Sequence, residues 1–245
     1  MTSQRVRPIW LGVAAAVLGA SVSARSVNPQ PAGPTVQERV AALKQSMQES
    51  QTRIRQYEWI ETTIISLKGE EKARTQKRCY YGADGKLQKL PVGEPAPAQQ
   101  PSGRGGRGGR LKAKVVENKK DEMKDYMERA AALVQQYVPP QPADIQRAKD
   151  AGKVTANPAG PGRVRLDFPD FLKPADRLSI DVDAAANRLL GLTVASYLDK
   201  PDDAVVLAVQ MGALTDGTSY TAQTTLDAAA KKIRVVIQNA GHRPL

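Results

Sequence analysis

From Val164 to Ile237 the chain alternates apolar and polar residues in six consecutive runs, and this constrains its fold more than any other feature. Val164, Leu166 and Phe168 make the first run, then Leu178, Ile180 and Val182, then Leu190, Leu192 and Val194. Val205, Leu207, Val209 and Met211 follow, then Tyr220, Ala222, Thr224 and Leu226, and last Ile233, Val235 and Ile237. A period of two puts every apolar member of a run on one face of a strand, so the runs predict strands with one buried and one wet face. Turn-forming stretches separate them: Ala184 to Asn187, Asp199 to Asp203, Thr215 to Thr218 and Asp227 to Ala230. Strands joined by turns this short pair antiparallel with their sequence neighbours, so a meander is predicted rather than a parallel βαβ sheet.

The preceding part adds helices and a smaller meander. Thr35 to Glu38 reads as a capping box, and behind it Val36, Val40, Leu43, Met47 and Ile54 fall on one helical face. Tyr57 to Lys68 is rich in β-branched and aromatic residues; Lys72 to Tyr81 and, after the Gly82 to Gly85 turn, Lys86 to Val92 complete three strands. Gly93 to Arg110 is dominated by Gly, Pro, Gln and Arg and cannot bury apolar surface, so a disordered insertion is expected over 93–114. Order resumes at Glu117. Met123, Tyr126, Met127, Ala130, Leu133, Val134 and Tyr137 share one helical stripe that Pro139 and Pro140 end, and a short helix is expected from Asp144 to Ala151. Residues 157–162 read as a loop. The expected class is α+β: a curved antiparallel sheet, an open half-barrel, packed with amphipathic helices in a single domain over 35–245.

Residues 1–34 say where such a chain works. Arg5 and Arg7 precede an uncharged apolar run from Ile9 to Val22, and Val22-Ser23-Ala24 ends on small residues, the pattern of a secretory signal over 1–24. A flexible leader over 25–34 follows. The run is shorter than the ~20 residues that span a bilayer, so a soluble protein exported to the periplasm or beyond is expected. The formal net charge is +11, or +9 once Arg5 and Arg7 leave with the signal, and draws such a protein towards anionic lipid, acidic polymer or other polyanions. Cys79 is the only cysteine, which excludes a disulfide-stapled domain and predicts a buried thiol.

Motifs for chemistry are scarce. Gly103, Gly105 and Gly108 match a dinucleotide fingerprint in spacing, but no strand precedes them, and the match is set aside. His242 is the only histidine, and with one cysteine it cannot complete a usual zinc site or activate a nucleophile in a recognisable motif. Asp199, Asp202, Asp203 and Asp216 lie in turns without calcium-loop spacing. Glu58 and Glu61 fall on opposite faces of their strand and make no acid/base pair. No catalytic residue, metal or cofactor is expected.

The helix ending near Gln56, the strand opening on Tyr57-Glu58-Trp59 and the order of elements resemble the Lol-type lipoprotein carriers of the bacterial envelope. That resemblance implies an unclosed antiparallel barrel around an apolar cavity, and a non-catalytic protein that binds lipid or lipoprotein acyl chains. Trp59, Ile65, Ile180 and Val182 are candidate lining residues, together with Leu192, Val194, Val209 and Met211. The other reading is a structural or interaction protein of the envelope that holds an anionic polymer or a protein partner. Its candidate residues are Arg104, Arg107, Arg110, Lys112 and Lys114, cations on a glycine-rich segment. That segment carries no aromatics for base stacking, so nucleic acid is not the expected polyanion.

Overall fold

The computed structural model describes residues 36–93 and 107–245, apart from the side chains of 36–37, 39–40 and 107–120. The expected signal and leader and residues 94–106 of the expected insertion lie outside the described residues. Helix α1 (Val36–Arg53) runs through a short 3-10 turn into β1 (Tyr57–Leu67), β2 (Glu70–Tyr81) and β3 (Leu87–Pro91). Two helices follow, α2 (Arg107–Gln135) and α3 (Pro142–Asp150). The second meander is β4 (Thr155–Pro158), β5 (Arg163–Pro169), β6 (Arg177–Asp183), β7 (Arg188–Tyr197), β8 (Ala204–Ala213), β9 (Ser219–Ala228) and β10 (Ile233–Pro244).

All ten strands join one antiparallel sheet in the order β3-β2-β1-β10-β9-β8-β7-β6-β5-β4. Each meander is internally sequential, and the two meet where the first strand pairs with the last. The sheet is curved and does not close, since β3 and β4 are its two edges.

The alternation read from the sequence becomes two faces of different chemistry. One inner-face row runs through Phe168, Leu178, Val194, Leu207, Leu226, Val235 and Ile65, each paired with the next across the ladder. The neighbouring outer row reads Asp167, Ser179, Thr193, Ala208, Thr225, Val236 and Ile64. Polar and charged side chains pair along that outer surface, as in the fork of Arg165 on Asp181 at 2.7 and 2.9 Å. The inner face takes the helices. Ala130, Leu133 and Val134 of α2, Tyr137 in the turn that follows it, and Ile145 and Ala148 of α3 bury Leu166, Phe168, Leu178, Ile180, Leu192 and Val194. Gly152, in the left-handed region at φ +66°, follows the end of α3 where a side chain would be strained.

Two expectations need correction. Helix α2 begins at Arg107, so the backbone over 107–114 is helical rather than part of an unstructured insertion. Residues 110–124 are mostly strong helix formers, and the docked turns downstream supply the nucleus from which helix propagates past Gly108 and Gly109. Residues 155–158 form the edge strand β4, where only a loop from residue 157 was expected. Four residues ending in Pro158 carry no alternation signal, and pairing with β5 alone defines them.

Candidate functional site

The inner face gathers the proposed lining residues, and its burial changes steadily along the row described above. Phe168, Leu178 and Val194 are fully buried and Leu207 is 7% exposed. Leu226 and Val235 are partly buried, and Ile65 is 40% exposed. The next row behaves likewise, from buried Ile180, Leu192 and Val209 to partly buried Thr224, Ile237 and Thr63. Helix placement causes the gradient. The C-terminal turns of α2 and all of α3 lie over β5 to β8. Over β10 and β1 the described part of α2 contributes Met123, Tyr126 and Met127, packed against Leu67, Ile233 and Val235. α1 closes the other side, with Met47 against the main core and Ser50 Oγ accepting a hydrogen bond from the Ser219 amide at 3.0 Å. The apolar inner-face residues of β9, β10 and β1, Leu226, Val235, Ile237 and Ile65, are left less covered than those of β5 to β8, and this strip is called the trough below.

Turns hold α2 along the lower end of this trough. The Tyr126 hydroxyl donates to Asp203 and Arg129 pairs with Asp199, both on the β7–β8 turn. Lys231, in the β9–β10 turn, pairs with Glu122. Burial, with the Asp203 carboxylate second, raises the Tyr126 hydroxyl far above its ordinary pKa, so it stays a donor throughout the working pH range. Deeper in, Asp176 accepts from the Tyr137 hydroxyl and from the amides of Phe171, Leu172 and Lys173, and Tyr137 also meets Ser196 Oγ at 2.9 Å. This buried carboxylate ties the β5–β6 loop to the turn that follows α2.

The upper end of the trough is aromatic. Trp59 stacks on the His242 imidazole, with centroids 5.7 Å apart, and meets Tyr81 at 6.1 Å. His242 also contacts the Tyr220 ring at 4.1 Å. Trp59 Nε1 donates to Asn239 Oδ1 at 3.1 Å, and Asn239 Nδ2 donates to the Thr221 carbonyl at 2.9 Å. Burial lowers the His242 pKa, and burial raises those of Tyr81 and the fully buried Cys79 thiol, so all three are neutral near pH 7. Glu61 pairs with Lys89 on the inner side, and Glu58 pairs with Arg78 and Arg243. The two carboxylates thus have separate partners and opposite faces, as their spacing predicted.

All eight proposed lining residues lie on the inner face, in different surroundings. Ile180, Leu192, Val194 and Val209 are packed in the main core, with Val182 and Met211 partly buried at its margin. Trp59 is 9% exposed within the aromatic cluster, and Ile65 borders the trough. Sequence reasoning missed Val235, Ile237 and Leu226 as trough residues and His242 as a partner of Trp59. Alternation shows which residues share a face, but which strands the helices leave uncovered is a tertiary property. Of the cationic candidates, Arg104 lies outside the described residues, whereas Arg107, Arg110, Lys112 and Lys114 belong to the first turns of α2. Among the described residues no group of His, Cys, Asp and Glu converges to hold a metal, and no helix is long and apolar enough to cross a membrane.

No family model and no curated protein matches this chain. Among solved structures, a LolA superfamily protein from Nitrosomonas europaea superposes with a TM-score of 0.34 and 10% identity. The alignment covers 82% of this chain and 93% of that one.

Proposed function

We propose that this protein is an exported, non-catalytic carrier that binds an apolar, lipid-like ligand in the trough on β9, β10 and β1. The observation that supports this reading is the burial gradient along one cross-strand row. The row is apolar from Phe168 to Ile65, yet only its β5 to β8 half is sealed by helices. An apolar surface left accessible on an otherwise polar molecule is favourable ground for an acyl chain, at about 0.8 kcal/mol for each buried CH₂. Thr63 and Thr224 at its floor offer hydroxyls without charge, which suits a chain with a weakly polar end. Tyr126 and the aromatic cluster bound it at its two ends.

Palmitate titrated into the native protein tests this. The expected result is a rise in melting temperature with ligand concentration, equivalent to about 2.7 kcal/mol at a hundred times the dissociation constant. Ile65→Trp should abolish the rise while leaving the unliganded stability unchanged, because the new ring enters open space at the trough. A melting temperature indifferent to palmitate in the parent protein overturns the reading.

A further inference from the structure

Two neighbouring strands of the sheet part company at one place. The β9–β10 ladder stops at Gln238 opposite Gln223, although β9 begins at Ser219 and β10 continues to Pro244. Beyond the parting β9 pairs only with β8, through Met211–Thr221, Gly212–Tyr220 and Ala213–Ser219. β10 pairs only with β1, through Ile60–Ala240, Glu58–Arg243 and Tyr57–Pro244. Irregularities on both sides steer the strands apart: a register shift between Gln210 and Met211, and another between Glu58 and Ile60 opposite Gly241, whose φ is +66°. What bridges the parting is side chain. Asn239 reaches the Thr221 carbonyl, and the His242 imidazole touches the rings of Tyr220 on β9 and Trp59 on β1.

We propose that this parting is a gate at the upper end of the trough, latched by the neutral His242 imidazole between Tyr220 and Trp59, and that protonating His242 releases it. The charged groups around the latch are already engaged. On β1, Glu58 pairs with Arg78 and Arg243, and Glu61 pairs with Lys89. Asp216 of the β8–β9 turn accepts from Thr218 and from Tyr57, and Arg53 of α1 lies within its electrostatic reach. Arg55 sits over the Tyr81 ring of β2, and Arg243 follows His242 on β10 itself. An imidazolium formed here would find aromatic rings and nearby guanidinium groups, with each neighbouring carboxylate held by another partner. Cation–π attraction to Trp59 and Tyr220 favours the charged form. Burial opposes it and lowers the His242 pKa. The unlatched strands would then be joined by Asn239, with the Tyr57 hydroxyl still tying β1 to Asp216 of the β8–β9 turn. The gate concerns access to the trough and so rests on the proposed ligand only for what passes through it.

The test therefore reads the backbone rather than a ligand. Amide exchange of the intact protein is followed by NMR at about pH 7.5 and about pH 5, corrected for the intrinsic pH dependence of exchange. The expected result is roughly tenfold faster exchange at 219–222 and 239–244 at the lower pH, with the 233–238 ladder unchanged. The midpoint should coincide with titration of the imidazole, a resonance that is unambiguous because the chain has one histidine. His242→Phe, which keeps the ring contacts, should hold both segments protected at both pH values. Exchange that ignores pH in the parent protein, a midpoint displaced from the imidazole titration, or an equal response in His242→Phe overturns the gate. None of these outcomes depends on whether palmitate binds.

Discussion

Tyr220 lies flat against Gly212 of the neighbouring strand, so close that a Cβ on Gly212 would stand 2.8 Å from Tyr220 Cζ and 2.9 Å from its hydroxyl oxygen. The missing side chain is what lets the Tyr220 ring settle where it also meets His242. Gly212→Ala should therefore displace the ring and cost about 1–3 kcal/mol, as overpacking does. Chemical denaturation measures the cost, and loss of ring-current shifts on the His242 protons shows whether the contact has gone. An alanine variant with parental stability and shifts would refute the account.

Asp176 is 2% exposed and gathers three backbone amides and the Tyr137 hydroxyl. Asp176→Ala leaves those donors buried without an acceptor, at about 1–3 kcal/mol for each that water cannot reach. A loss of roughly 3–5 kcal/mol is expected in urea denaturation, and Tyr137→Phe should lose less, since it removes one donor of four.

Val209 and Ile65 occupy the same face but should respond oppositely to bulk. Val209 is packed against the helix-covered core, so Val209→Trp should cost about 1–3 kcal/mol or more. Ile65→Trp should change stability by less than about 0.5 kcal/mol, as surface substitutions do. Equal melting temperatures for the two variants would contradict the burial gradient.

Acid should weaken the β8–β9 turn through Asp216. Its hydrogen bonds to the Thr218 amide and hydroxyl hold its pKa below the ordinary aspartate value, with the Tyr57 hydroxyl adding to them. The folded state thus binds this proton less readily than the unfolded chain. The stabilisation is present above the ordinary value of about 3.9 and is lost as pH falls through the lower folded value. Asp216→Asn should flatten the fall of melting temperature between about pH 4 and pH 2. An unchanged slope would remove Asp216 from the acid response.

Export is expected to remove residues 1–24. N-terminal sequencing of secreted material should begin at Arg25, and material that still begins at Met1 would rule out the signal reading.

The alternating runs made most of the sheet legible. Leu178-Ile180 and Val205-Leu207-Val209 announce their inner face because each apolar side chain must find cover on the same side. Cover itself was not legible. Val235 and Leu207 look alike in sequence, and only helix placement leaves one partly buried and the other buried. His242 read as a solitary histidine because its partners, Trp59 and Tyr220, are distant in sequence, and residues 107–114 were hidden behind glycines that helix propagation overrode.

The seam between β1 and β10 has a consequence for how the chain acquires its structure. Tyr57 pairs with Pro244 and Leu67 with Ile233, so the two meanders become one sheet only when the strand made last reaches the strand made first. Until then β1 and β9 each present an unpaired edge along apolar residues. Such edges invite association with other chains, and contacts of long sequence separation form slowly. In a chain of this topology the single sheet is therefore completed only after β10 has been made.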